Sequence, residues 1–542
     1  MLQPVPSVPP QSRMRRTSAT KFHTANSFPA PTKGVDSRQS LANSDPQTAT
    51  VIENFICRSY GLELRAGYGR HGTLPSGTYG ETLMPYNSAR GAADSKLFIA
   101  AEDGWIYDAT APGPALPSVN VTGQTNPGEA YWVNFVVEGG NYLCVVLPGA
   151  GYWTYETTAG WVNHPAGTSA GQIDGIDPKT FGYVWTWGNR LWFAQVGTGT
   201  AWYLETLALA GKATTFEFGP MFIYGGELSV GASWTVDTGG GLFDKMVLVG
   251  SEGDVLVYAG TDPTDMTTFK VDGRWFVGRV PIGRRFLTRF GANMALLTER
   301  GLLLMSDILR GTDTEPENEA AARINQLLQP DIRASLDKRY WEIKLLTDVN
   351  VLYINAPAKE FVSDYSWVID LTAFGASKMT NQPFITVELF KSQSFACDLD
   401  GNVWMLWSAA SDGQVGDVRG TDIEGRVQTA FVPLGDPFRW KRFLMARAGF
   451  RSTEAPAVQL ALNSEWAFTP PGLSPIYNPV SNALWDVALW DAAVWGGEAS
   501  TYMAWVGVTG MGHYAALMMV VKAAPKTVFT NWDCVTEAGG IL

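Results

Sequence analysis

Lys96-Leu97-Phe98-Ile99-Ala100-Ala101-Glu102-Asp103-Gly104-Trp105-Ile106-Tyr107-Asp108 places an acidic turn ending in glycine between two short apolar runs. That is the pattern of a tight antiparallel hairpin. It returns at residues 246–258, which turn at Glu252-Gly253, at residues 294–305, which turn at Glu299-Arg300-Gly301, and at residues 395–406, which turn at Asp398-Leu399-Asp400-Gly401. The four turn glycines, Gly104, Gly253, Gly301 and Gly401, are 149, 48 and 100 residues apart. These gaps are near three, one and two multiples of a period of about fifty residues, so the chain repeats one structural unit.

The period calls for further turns near positions 154, 203 and 351. Gly149-Ala150-Gly151 and Gly197-Thr198-Gly199 supply the first two, and residues 352–369 supply the third with a longer turn containing Pro357. That makes about seven degenerate units, each too small to close a core alone, which is how an all-β propeller reads in sequence. The 57 glycines and 31 prolines among 542 residues fit strands joined by many turns. Two stacked β-sandwiches are the competing architecture.

The repeat occupies residues 76–415. Before it, residues 1–26 hold Pro4, Pro6, Pro9 and Pro10, then Arg13, Arg15, Arg16 and Lys21, with no acid. So little apolar surface does not offset the entropy of ordering, and a flexible basic arm is expected. It is either an inert tail or an arm that docks through Arg13, Arg15 and Arg16 on an acidic neighbouring protein. Residues 27–75 read as strands added to a C-terminal β-sandwich-like platform domain, 416–542, with two strands over residues 49–68 that keep one face wet. One short helix interrupts the β pattern: Thr314-Glu315-Pro316-Glu317 has capping-box form, Ala320, Ile324, Leu327 and Leu328 share a face, and Pro330 is expected to stop the run.

The formal charge is −12, from 40 Lys plus Arg against 52 Asp plus Glu. This argues against a protein that grips nucleic acid by general attraction. Cys57, Cys144, Cys397 and Cys534 form no Cys-x-x-Cys pair, so reduced thiols are expected. Residues 17–21, after the arginines, lack the apolar core of a secretory signal, and the apolar run 515–521 is too short to span a bilayer, so a soluble chain is expected, without membrane insertion.

Catalytic patterns are missing. His23, His71, His164 and His513 are scattered, Gly197-Thr-Gly-Thr-Ala-Trp202 lacks the third glycine of a dinucleotide loop, and no Gly-x-Ser-x-Gly occurs. Neither catalytic residue, metal nor cofactor is expected. Because propellers host glycosidases, Asp103, Asp398 and Asp400 need a reading, and their place in hairpin turns favours local turn stabilisation. Trp485, Trp490 and Trp495 are spaced by five, which fits neither a helical nor a strand face. They read as a subunit-interface anchor, as a loop packed on its own domain, or as a sugar platform.

Residues 31–38 (Pro-Thr-Lys-Gly-Val-Asp-Ser-Arg), Glu53-Asn54-Phe55, Arg65-Ala66-Gly67 and the hairpin at 97–108, with Thr429 to Pro437 and the Glu-Ala-Gly-Gly-Ile-Leu ending, resemble the tail nozzle or packaged-DNA stabilisation proteins of short-tailed bacteriophages, the tail tubular protein B-like family. The resemblance implies a non-enzymatic virion protein of the tail, assembled in the bacterial host cytoplasm. It further implies a homohexameric ring below the portal and adaptor, with tail fibres or a needle or plug protein at its sides or below, and packaged double-stranded DNA held and later conducted through the lumen without sequence specificity. Regular unit spacing leaves little room for the long insertions of nozzle tips, which points to a separate plug. The alternatives are a glycan-binding propeller on the phage surface and, third, a glycosidase.

Overall fold

The computed structural model describes residues 23–541 except 39, 238–241, 261, 266, 311–315, 357–364, 474 and 478–498. The hairpin at 96–108 is formed by strands Lys96–Ala101 and Trp105–Asp108, with Ile99 opposite Tyr107. Between Gly80–Tyr86 and Leu116–Asn120 it completes a four-stranded antiparallel sheet. Its central strand is apolar on both faces because both faces are covered. Phe98 and Ile106 pack on Leu143 and Val145 of the next sheet, while Leu97 and Ile99 pack on Phe395 and Cys397 of the preceding one.

The same construction repeats in sheets running from Tyr131–Val137 to Gly160–Asn163, from Phe181–Trp187 to Thr214–Glu217, and from Leu228–Asp237 to Lys270–Phe276. A three-stranded sheet spans Leu287–Phe290 to Gly301–Leu304, and a five-stranded one is built around Thr386–Phe390, Gln393–Cys397 and Asn402–Ala409. These six sheets are the blades of a β-propeller. The unit expected at 352–369 is a hairpin with Ile354 opposite Trp367, but not a sheet of its own. Its meander, Glu342–Leu346 to Ala376–Thr380, continues through Ala49–Glu53, Glu424–Thr429, Ala515–Lys522 and Ala457–Ser464 as one eight-stranded sheet.

Three expectations are corrected. Strand Gly67–Thr73, placed by sequence among the N-terminal strands, is instead paired antiparallel with Asn402–Ala409 in the last blade. Joining the start of the propeller to its end in one sheet closes the ring, and glycine permits it: a Cβ on Gly72 would lie 2.4 Å from the Gly113 carbonyl oxygen. Residues 49–64 form three strands, Ala49–Glu53, Phe55–Arg58 and Gly61–Leu64, rather than two, and the second and third are largely buried rather than wet on one face. The first belongs to the eight-stranded sheet, and the other two to a sheet with Val528–Ile541, Arg439–Ser452 and Ser500–Met503 that shares its core.

The third correction concerns the helix, which runs Pro316–Ala334 straight through Pro330, and is preceded by a short helix, Met305–Arg310. Ala320, Ile324, Leu328 and Ile332 repeat at a four-residue interval and are fully buried, whereas Leu327 is 42 % exposed. That buried stripe outlasts the one backbone hydrogen bond a proline removes. The opposite duty of the helix is polar. Asn325 accepts from the Leu302 N–H (2.8 Å) and donates to the Leu302 carbonyl (3.1 Å), Gln329 donates to Arg300 O (2.7 Å) and Arg333 to Glu299 O (3.0 Å). The helix thereby satisfies the open edge of the three-stranded blade.

Candidate functional site

Of the residues singled out by sequence, Trp485, Trp490, Trp495, Arg13, Arg15 and Arg16 lie outside the described residues. Gly104, Gly253, Gly301 and Gly401 sit in hairpin turns of four different sheets with φ of 81°, 97°, 101° and 75°. Two of the turn carboxylates are consumed locally, and Asp400 gives its backbone N–H to one of them, Asp398 (3.0 Å). Asp103 accepts from the Trp105 N–H (3.0 Å) and the Tyr107 hydroxyl (2.6 Å), and Asp398 accepts from the Asn402 N–H (2.8 Å) and the Trp404 indole (2.7 Å). The four cysteines are buried and free; burial pushes the Cys57, Cys144 and Cys534 thiols up to about 12. Among the described residues no group of three or more His, Cys, Asp or Glu could hold a metal ion.

Sequence reasoning missed the polar cluster where the blades meet. The first strands of five sheets, Gly80–Tyr86, Tyr131–Val137, Phe181–Trp187, Leu287–Phe290 and Glu342–Leu346, contribute to the wall of one 180 Å³ cavity, which places it on the propeller axis. Arg284, Arg285, Glu342 and Lys344 project into it. Lys344 Nζ lies 2.5 Å from Glu388 and 3.8 Å from Glu342 and faces the Trp132 ring at 5.8 Å. Glu342 accepts from the Val387 N–H (2.9 Å), and Arg285 donates to Glu81 O (2.8 Å) and to Thr82 Oγ1 (2.5 Å). Burial lowers the affinity of Lys344 for its proton, but Glu388 and Glu342 outweigh it and hold the ammonium above its ordinary range. Glu81 and Glu342 are raised above the usual carboxylate range by burial, against the pull of Arg339 and Lys344 respectively.

Arg284 also lines a wider cavity of 480 Å³ bounded by Glu129, Lys179, Glu227 and Arg339. Here Arg284 contacts Glu227 at 3.1 Å and two backbone carbonyls, and Arg339 approaches Glu129 at 3.4 Å and Glu81 at 3.7 Å. Arg284, Arg339 and Lys344 are thus each paired with carboxylates here. Such an arrangement joins blades by charge-assisted hydrogen bonds across the axis. The sequence signal was present in Arg284-Arg285 and in the Glu-x-Lys alternation of 342–344, charged pairs at the start of otherwise apolar units.

A second polar node lies where the propeller meets the two remaining sheets. Asn54, at φ 61°, carries the chain from one sheet to the other, and its side chain accepts from Arg65 Nε (2.9 Å) and from the Thr380 N–H (2.9 Å). Arg65 is 1 % exposed and donates from both terminal nitrogens to Asp412, 2.6 Å each. Asn381 donates to the same carboxylate at 2.9 Å. Asn54 and Arg65 come from two short motifs noted in the sequence, and the fold brings them into one hydrogen-bonded group.

The topology defines a β-propeller protein with two helices among its described residues. No protein-family model matches the chain, and no curated protein matches it. Among solved structures it is similar to BBS1N in complex with ARL6DN (TM-score 0.36, 10 % identity, 60 % of this chain and 92 % of that one). It is also similar to Saccharomyces cerevisiae Sqt1 (TM-score 0.35, 11 % identity, 68 % and 96 %) and to YCF48 bound to D1 peptide (TM-score 0.35, 11 % identity, 62 % and 93 %).

Proposed function

We propose that this chain is a structural subunit of a phage tail nozzle, six copies of which form a ring continuing the portal and adaptor channel. The observation that carries the reading is that Asn54 and Arg65, from the two motifs that resemble the nozzle family's, bond to each other while Arg65 pairs with Asp412 at the seam between propeller and C-terminal sheets. Residues that fix two bodies against each other suit a protein whose work is to hold shape. In this reading the meander from Glu342 to Thr380 counts as a seventh propeller unit fused to a platform made by the two large sheets. The axis of each propeller, crossed by Lys344–Glu388 and Arg285–Thr82, carries no strand of DNA; the channel runs between subunits. A net charge of −12 on each subunit gives such a ring an acidic lumen, which lets a duplex slide without adhering.

Electron microscopy of the purified protein and of virions tests this. A six-fold ring coaxial with the tail is the expected result. A stable monomer that binds host polysaccharide on a glycan array overturns it in favour of a lectin.

A further inference from the structure

Glu129, Lys179, Glu227, Arg284 and Arg339 border the 480 Å³ cavity, and each stands one to three residues ahead of the first strand of a different sheet: Tyr131–Val137, Phe181–Trp187, Leu228–Asp237, Leu287–Phe290 and Glu342–Leu346 respectively. The five therefore gather at one end of the propeller axis, where the entering loops converge. A concave space of this size is of the order that holds a small molecule. Among the lining residues three cations face two carboxylates, a local excess of positive charge on a chain of net charge −12.

The hydrogen-bonding groups that remain unengaged indicate what such a molecule must offer. The carboxylates are taken. Glu129 accepts from the Tyr131 hydroxyl (2.8 Å) at one oxygen and from Asn126 Nδ2 (2.8 Å) at the other, and Glu227 accepts from Arg284 (3.1 Å) and from the Gly197 N–H (2.6 Å). The donors are not. Lys179 is exposed, and its ammonium has neither an ion pair nor a hydrogen bond among the described residues. Gln195 uses its carbonyl to accept from the Trp202 indole (2.9 Å), which leaves its amide nitrogen without a partner among the described residues. Arg339 meets Glu129 at 3.4 Å, the Tyr340 hydroxyl at 3.5 Å and Glu81 at 3.7 Å, all longer than the roughly 2.7–2.9 Å of a full charge-assisted bond. Unengaged donors beside satisfied acceptors select a ligand rich in acceptor oxygens and negative charge.

We propose that this cavity binds a small polyanion carrying two or more carboxylate or phosphate groups, held by Lys179, Gln195 and Arg339. Lys179 and Gln195 flank one blade and Arg339 enters another sheet, so a ligand with separated anionic groups spans the donors where a single phosphate leaves most of the space empty. The inference does not rest on the ring, because an isolated subunit contains the complete cavity.

Isothermal titration calorimetry of the full chain at fixed ionic strength tests it, with citrate and pyrophosphate as probes and glucose as the neutral control. Saturable binding of at least one anion is expected, and the tighter of the two identifies carboxylate or phosphate as the preferred group. Lys179→Met is expected to weaken that binding by about tenfold, the worth of one hydrogen bond to a charged group, while Lys179→Arg retains it. Gln195→Glu keeps an acceptor for Trp202 but sets a carboxylate against the ligand, and a comparable loss is expected. Lys179 makes no side-chain bond within the described chain, so Lys179→Met is expected to melt with the parent, which separates lost binding from lost folding. Absence of binding by both anions overturns the proposal. So does glucose bound as tightly as the anions, or an anion affinity unchanged in both Lys179→Met and Gln195→Glu.

Discussion

Arg65 and Asp412 are 347 positions apart in sequence and share a two-pronged ion pair, 2.6 Å at each prong, with both side chains shut off from solvent. The pair ties the strand region before the propeller to the loop after its last blade. Removing one partner strands the other charge in the interior. Asp412→Ala is expected to destabilise the protein by about 3–5 kcal/mol, and the double variant Arg65→Met, Asp412→Leu by clearly less than Asp412→Ala alone. Urea denaturation with a double-mutant cycle measures both, and equal losses in the two variants would sink the account.

The hairpins were legible in the sequence because each turn couples an acid to a glycine between apolar runs, a local pattern of a few residues. Closure was not legible. Gly67–Thr73 pairs with a strand more than three hundred residues downstream, and its Gly-Tyr-Gly-Arg-His-Gly-Thr text carries no signal of that partner. The helix was misjudged at Pro330 because local propensity was weighed without Ile332, whose burial beyond the proline keeps the helix going. Axial Arg285 and Lys344 look like surface residues in one dimension; only the convergence of several first strands makes them neighbours.

Turn glycines differ in what surrounds them, so the same substitution separates backbone strain from collision. Gly197 has φ 73° and open space where a Cβ would stand; Gly401 has φ 75°, but its Cβ would lie 2.4 Å from Thr78 O. Gly197→Ala is expected to cost about 1–2 kcal/mol, the left-handed penalty alone. Gly401→Ala is expected to cost distinctly more, because the neighbouring segment must move. Thermal melts of the two variants side by side decide it, and equal shifts contradict the collision.

His164 is buried, with Nδ1 2.7 Å from Gly171 O and Nε2 2.8 Å from Thr154 Oγ1, and it stacks on Tyr152 at 5.0 Å. Donation from Nδ1 to the carbonyl leaves Nε2 to accept from the hydroxyl, a neutral ring. Burial lowers its proton affinity below the ordinary histidine value, against the hydrogen bond to Gly171. A base depressed in the folded state contributes stability that is present above its unfolded value, about 6.5, and is lost as pH falls through the folded one. The melting temperature is therefore expected to fall on acidification below about pH 6.5, and His164→Gln should remove that part of the slope. A slope unchanged by the substitution would assign it to other groups.

Lys344 is a counter-charge to Glu342 on the propeller axis, so Lys344→Met tests the cluster through its pH dependence. Glu342 already has a folded value above the ordinary carboxylate range, because burial penalises its anion. An acid raised in the folded state contributes stability that is complete below its unfolded value and is lost as pH rises through the folded one. Without the ammonium at 3.8 Å the raised value climbs further and the loss extends to higher pH. At neutral pH the variant is expected to be weaker than the parent by about 3–5 kcal/mol, and the deficit should shrink toward pH 4 as Glu342 takes up a proton. Adding Glu342→Gln, which keeps an acceptor for the Val387 N–H, should restore part of the loss at neutral pH. Denaturant titrations of parent, single and double variants between pH 4 and 8 read the result directly; a deficit independent of pH would mean that Lys344 matters for its packing on Trp132 and not for its charge.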